Sequence, residues 1–317
     1  MTKASRKTGS VIWAVDPFEA DASPLVSSVR EMMDWATRAG LRVIPVYVMS
    51  LSESQMEAGE MQEIGYIERE LAHYLHRFPL GGSLTPRVLV DDSARQAGAV
   101  RVLLDLAREA GTEWIVVSSH GRSGMKRLML GSFAETLLRE SACPLLFLPR
   151  RSCCPPLDLE KRRVLFPTDF STQAGEAFAQ FVPHASKQRF EIVIYHMLTF
   201  PVPSMDLGLV PAIPESFLPE QEAWARQEGE RWVTKATKAG AKARFIMESA
   251  DLPALTGRSV LDAATKEGAR LIAMSSLSSP LARLVAGSVA HEVFRAGTYP
   301  VWLYGPQAVS GKRTTAA

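Results

Sequence analysis

The chain repeats itself, and this duplication limits the possible folds more than any other feature. Gly131-SFAETLLRESACPLLFLP and Gly287-SVAHEVFRAGTYPVWLYG both open with Gly-Ser; Ala134 matches Ala290, Arg139 matches Arg295, and Pro144 matches Pro300. In each copy an amphipathic helical pattern runs into a proline and then a short apolar strand. The beginnings of the halves agree as well. Val11-IWAVD and Val164-LFPTD are buried-type strands closed by Asp16 and Asp169. With 317 residues, the chain is long enough for two domains. The repeat places them at 8–150 and 163–306, joined by RRSCCPPLDLEKR (150–162), whose prolines and charges suit an exposed linker.

Between the landmarks both halves follow one order. The first reads as helix 24–38 closed by Gly40, strand 41–49, helix 55–78, strand 86–91 and helix 94–110 closed by Gly111. Strand 114–119, a glycine-bearing loop, helix 132–141 and strand 145–149 follow. The second reads as strand 191–198, helix 219–238, strand 243–248, helix 258–267 closed by Gly268, and strand 271–276. Glycine at a helix end supplies a left-handed cap that side chains resist. Strands alternating with helices imply a parallel sheet covered on both faces, an α/β fold. The stretch 200–219 carries five prolines among apolar residues; it reads as a lid or as a packed crossover loop.

Composition excludes several classes. Hydrophobic residues at 46% and charged residues at 22% suit a globular protein, not a disordered one. A formal charge of +2 supplies no broad basic field, so nucleic acid is not an expected partner. No apolar run approaches the roughly 20 residues that span a bilayer, and MTKASRKTGS lacks a signal-peptide core; a cytoplasmic location without membrane association is expected. The cysteines Cys143, Cys153 and Cys154 form neither a disulfide framework nor a zinc motif. Cys153–Cys154 reads as an ordinary linker pair or a thiol sensor.

The chemistry concentrates in WIVVSSHGRSGMKRLMLGS (114–132). A strand ends at Ser118–Ser119, and a helix opens at Gly131–Ser132. In open α/β sheets ligands sit beyond the carboxyl ends of the strands. A helix N-terminus there offers unpaired N–H groups and partial positive charge, which favours phosphate. Gly121 lets backbone approach oxygen, Ser132 can cap the helix or bond a phosphate, and Arg122, Lys126 and Arg127 add cations. Neither a Walker A sequence nor G-x-G-x-x-G is present.

The loop resembles the universal stress protein signature G-x2-G-x9-G-[ST]: Gly121, nine residues, then Gly131 and Ser132, with Ser118 where that signature has glycine. The resemblance extends over nearly the whole chain as two family domains in tandem. It implies two open parallel sheets of the adenine-nucleotide α-hydrolase-like kind, each with five strands in the order 3-2-1-4-5. It also implies that the last strands, 144–149 and 300–304, pair so that the chain forms an intramolecular pseudo-dimer; whether two chains then form a homodimer stays open. For the ligand it implies ATP, with or without Mg. Asp16 would lie near ribose and adenine and Val48 against the base, with Ser118, Gly121, Gly131, Ser132 and the Phe133 backbone around the phosphates. Asp16 also reads as a turn or cap residue before Pro17. His120 and Arg122 stand in the same loop; a lone histidine there is either a phosphate neighbour or a satisfied polar residue.

The second half departs from this pattern. LIAMSSLSSPLARLVAGS (271–288) is one residue shorter between Ser275 and Gly287, lacks the central glycine, and keeps Arg283 alone of the cations. Asp169, Met197, Gly287 and Ser288 remain as counterparts. Glu248 and Asp251 approach the same edge and would repel phosphate if they pointed inward. Three readings remain: a nucleotide-binding stress or signalling module with unidentified protein partners, an enzyme such as a slow ATPase, and an interaction protein with neither pocket filled. No Ser–His–acid order or metal cluster supports dedicated catalysis.

Overall fold

β-branched and aromatic runs build the strands, and their neighbours in space explain the exceptions. The computed structural model describes residues 9–19, 21–50, 60–78, 84–92, 98–118, 132–149, 162–199, 217–250, 256–276 and 288–310. The first half contains β1 (Ser10–Ala14), α1 (Val26–Ala39), β2 (Arg42–Ser50), α2 (Glu60–His76), β3 (Arg87–Asp91) and α3 (Gly98–Glu109). It continues with β4 (Thr112–Ser118), α4 (Ser132–Glu140) and β5 (Leu145–Leu148). The second contains β6 (Arg163–Pro167), α5 (Thr172–Gln188), β7 (Glu191–Thr199), α6 (Phe217–Lys238), β8 (Lys242–Ala250) and α7 (Thr256–Lys266). It closes with β9 (Ala269–Ser275), α8 (Ser288–Ala296), β10 (Val301–Tyr304) and α9 (Pro306–Val309), a short helix the hydrophobic pattern did not announce.

The chain divides into two compact units. Of the described residues, the first unit takes those through Pro149 together with 294–310, and the second takes 162–276 and 288–293. In the first unit the strand order is β3-β2-β1-β4-β5-β10. All these pairings are parallel except β5 with β10, where Leu145 opposes Leu303 and Phe147 opposes Val301. The expected pairing of the last strands is therefore present, and it lies inside one unit. β5 is wholly buried and would otherwise be an apolar edge open to aggregation. Trp114 meets Trp302 at 5.0 Å, and Phe147 meets Phe294 edge-on at 4.8 Å. Gly305 lies so close to α4 that a Cβ there would fall 1.9 Å from the Leu138 carbonyl oxygen.

In the second unit the order is β9-β6-β7-β8, parallel throughout. The first four strands of both halves thus share one arrangement. Phe166, Phe178 and Trp232 form the core between β6, α5 and α6, with Phe178 and Trp232 stacked at 4.6 Å. Gly229 lets α6 sit on β8, since a Cβ there would meet the Phe245 ring at 2.4 Å.

Two prolines sit inside regular elements. Pro45 lies in β2 opposite Trp13, but β3 joins only from Val46, so the missing N–H faces no third strand. Pro183 lies within α5 on an exposed face, where water can serve the carbonyl four residues earlier. Gly40, Gly111 and Gly268 take φ of 69°, 60° and 62°, as helix-ending glycines should.

Candidate functional site

Three neighbouring strands of the first unit bring the candidate residues to one edge. β1 lies between β2 and β4, the point where strand order switches and where ligands of open α/β sheets characteristically sit. Ala14 pairs with Val46 and Val117. Asp16, two residues past Ala14, is therefore level with Val48, and Ser118 ends β4 beside them. All three are half-buried. Ser132 and Phe133 begin α4, so the first turn of that helix follows the same strand end. His120, Gly121, Arg122 and Gly131, with Lys126 and Arg127, lie outside the described residues.

Asp16 does form a turn. Its Oδ1 accepts the Phe18 N–H at 3.1 Å, and its carbonyl accepts the Glu19 N–H at 3.3 Å. Such an Asx turn fixes the carboxylate in direction, which is compatible with receiving ribose hydroxyls. The same turn delivers Phe18 to a small apolar cluster. Its ring meets Tyr47 at 5.9 Å and Tyr66 at 6.2 Å, beside Met49 and Ile67. Tyr74 donates to Glu19 at 3.2 Å, and burial together with the Glu19 charge pushes its phenol well above the usual range.

The second unit closes a matching turn by another backbone route. Asp169, exposed, accepts the Ser171 N–H at 2.9 Å. Between them Phe170 has φ of 57°, a left-handed conformation that side chains resist. Its ring packs on His196 at 4.9 Å, Trp232 at 5.2 Å, Trp224 at 5.7 Å and Phe245 at 6.0 Å. His196 Nδ1 lies 2.8 Å from the Thr168 carbonyl, so that nitrogen carries the proton and donates. Burial lowers the His196 pKa, against the opposing pull of that bond and of Asp169.

Met197 is half-buried at the end of β7 and registers with Glu248. Glu248 would repel phosphate only if its charge pointed inward. Its carboxylate accepts from Tyr195 Oη at 3.2 Å and from Lys266 Nζ at 3.1 Å, so its charge is answered on the α7 side of the sheet. Asp251 and Gly287 lie outside the described residues, and Ser288 begins α8. Ser276, directly after β9, is buried, and its hydroxyl finds no partner among the described residues.

Sequence reasoning missed this aromatic layer. Tyr66 and Trp224, exposed at 47% and 45%, are the exposed large hydrophobics among the described residues. Both touch the ring that follows a strand-ending aspartate. Aromatic residues just past Asp16 and Asp169 were the available signal. Among the described residues no three His, Cys, Asp or Glu side chains gather to hold a metal ion, and no helix is long and apolar enough to cross a membrane.

An open parallel α/β sheet with helices between its strands belongs to the doubly wound class, in which ligands sit beyond the carboxyl ends of the strands. The chain belongs to the universal stress protein family, which matches residues 14–149 and again 161–305. It is similar in structure to a universal stress protein from Archaeoglobus fulgidus, with a TM-score of 0.61, 17% identity, and coverage of 93% of this chain and 98% of that one. It is also similar to a functionally unknown protein from Pseudomonas aeruginosa, with a TM-score of 0.58, 13% identity, and coverage of 95% and 94%. At these identities the likeness shows the shared fold. Among curated proteins no sequence matches it.

Proposed function

We propose that this chain is a cytoplasmic stress-response or signalling protein that binds ATP in its first half, its second half being structural or holding another ligand. The observation that carries this reading is the alignment of Val48, Asp16 and Ser118 across β2, β1 and β4, with the N-terminus of α4 following β4. Val48 offers an aliphatic surface to a base, and Asp16 a directed acceptor to ribose. The start of α4 favours a phosphate by its unpaired amides and dipole. The loop residues His120, Gly121, Arg122 and Gly131 complete the proposal from the sequence. Magnesium would be held by the phosphates themselves, and slow hydrolysis would need little more than that bound pair.

The test is to denature the purified protein and assay the supernatant. Adenine nucleotide near one per chain supports the reading, as does its loss on Gly131→Leu. No nucleotide, even after incubation with Mg-ATP, favours an interaction protein with both pockets empty. Ser118, in the position where the signature has glycine, is the observation behind that second reading.

A further inference from the structure

The second unit ends in an unusually long free strand. β8 runs nine residues, Lys242–Ala250, about 30 Å at the usual rise, and it is the last strand of its sheet. No described strand pairs with its outer edge, whereas the corresponding edge strand of the first unit, β3, has five residues. A row of unpaired N–H and C=O groups of that length is a template for another extended segment.

Charge marks one end of this strand. The last turn of α5 and the turn after α6 are tied together by the Ser186 hydroxyl donating to the Gly240 carbonyl at 3.1 Å. Across the tie, Glu191 and Lys242 are register partners. Glu191 is already taken by Arg163 and Arg244, and Arg244 also pairs with Glu267. Arg189, Lys235, Lys238 and Lys242 are exposed and form no ion pair among the described residues. Cations in a last helical turn complement the helix dipole, which accounts for Lys235 and Lys238. It does not account for Lys242, which opens the strand. Arg189, the C-cap of α5, gains from its helix dipole too, yet it holds φ of 56° where the first unit uses Gly40. A side chain there is strained in a way that glycine would avoid.

We infer that β8 and the basic turns beside it form a docking edge for an extended, acidic segment of a partner protein. Main-chain pairing along β8 would supply affinity, and carboxylates over Lys238, Lys242 and Arg189 would set position and speed the encounter. A flat polyanion would use the charges without the strand, which separates this partner from nucleic acid. No part of this inference rests on nucleotide binding.

The test uses the full-length protein and a fluorescein-labelled nonapeptide alternating Glu and Thr, against the same peptide with Gln for Glu. Saturable binding of the acidic peptide alone is expected, with slowed amide exchange confined to Lys242–Ala250. The double variant Lys238→Glu, Lys242→Glu should weaken binding at least about tenfold, the factor that goes with 1.4 kcal/mol, with far-UV circular dichroism as the fold control. Arg189→Gly removes a charge while easing the backbone, so it should weaken binding without loss of stability. Any one of three results overturns the inference: no saturable binding, unchanged affinity in the variants, or an oligonucleotide of equal charge bound as tightly with no slowing of β8 amides.

Discussion

The turn after β1 and the turn after β6 close the same hydrogen bond from opposite sides of φ. Both aspartates accept the N–H two residues on. In the first unit the residue between them is Pro17, whose ring holds φ negative. In the second it is Phe170 at 57°. The anchoring ring moves accordingly, from the second residue of the turn, Phe18, to the first, Phe170. A left-handed phenylalanine costs about 1–2 kcal/mol and persists only because its surroundings over-determine it. Here four rings do so: His196, Trp224, Trp232 and Phe245. The first unit keeps its turn unstrained behind a small cluster. The second packs aromatic rings around the residue that follows its strand-ending aspartate.

The comparison can be broken most severely at Trp232, buried and stacked on Phe178. Trp232→Ala should cost about 3–5 kcal/mol, read as a lowered urea midpoint for the second unit. Next comes an exchange between the turns. Proline cannot take a positive φ, so Phe170→Pro should destabilise by about 3 kcal/mol or more. Pro17→Gly should cost no more than about 1 kcal/mol, the unfolded-chain entropy alone. If the two substitutions prove equally mild in chemical denaturation, the turns do not differ as described. Gly229→Ala should follow, at about 1–3 kcal/mol from forcing a methyl against Phe245.

The smallest effect at neutral pH belongs to His184. Burial, with the Lys187 charge, pushes it down to about 4. The unfolded chain then takes its proton first, near the ordinary value of 6.5. Stability should therefore fall as pH drops from about 6.5 toward 4 and level off below. Glu191 acts later in the same direction. Burial opposes its charge, but the bond and charge of Arg163, with Arg244, outweigh that and hold its pKa low. Its contribution is present above the ordinary carboxylate range and is lost as pH falls through the lowered value. His184→Gln should flatten the upper part of this curve, measured as urea midpoint against pH.

How far these features were legible depends on how locally each is caused. The caps at Gly40, Gly111 and Gly268 follow from residues a few positions away, and they stand where the pattern placed them. The strand ends carrying Asp16, Val48 and Ser118 follow from runs such as Val11-IWAVD. β4 begins at Thr112, two residues before the apolar run announces it, because Ser10 pairs with Thr112 through a register shift. Arg189 and Phe170 could not be anticipated as left-handed. Arginine and phenylalanine carry no such signal, and the rings that hold Phe170 lie 26 to 75 positions further along the chain. The direction of Glu248 was not legible because Lys266, its ion-pair partner, stands on another element.

The difference between the halves comes to a single paired measurement: bound adenine nucleotide per chain in Asp16→Ala and in Asp169→Ala, each purified and denatured alongside the parent protein. The account predicts that the first variant loses most of its nucleotide while the second retains the parent's amount. Loss in Asp169→Ala with retention in Asp16→Ala would contradict it.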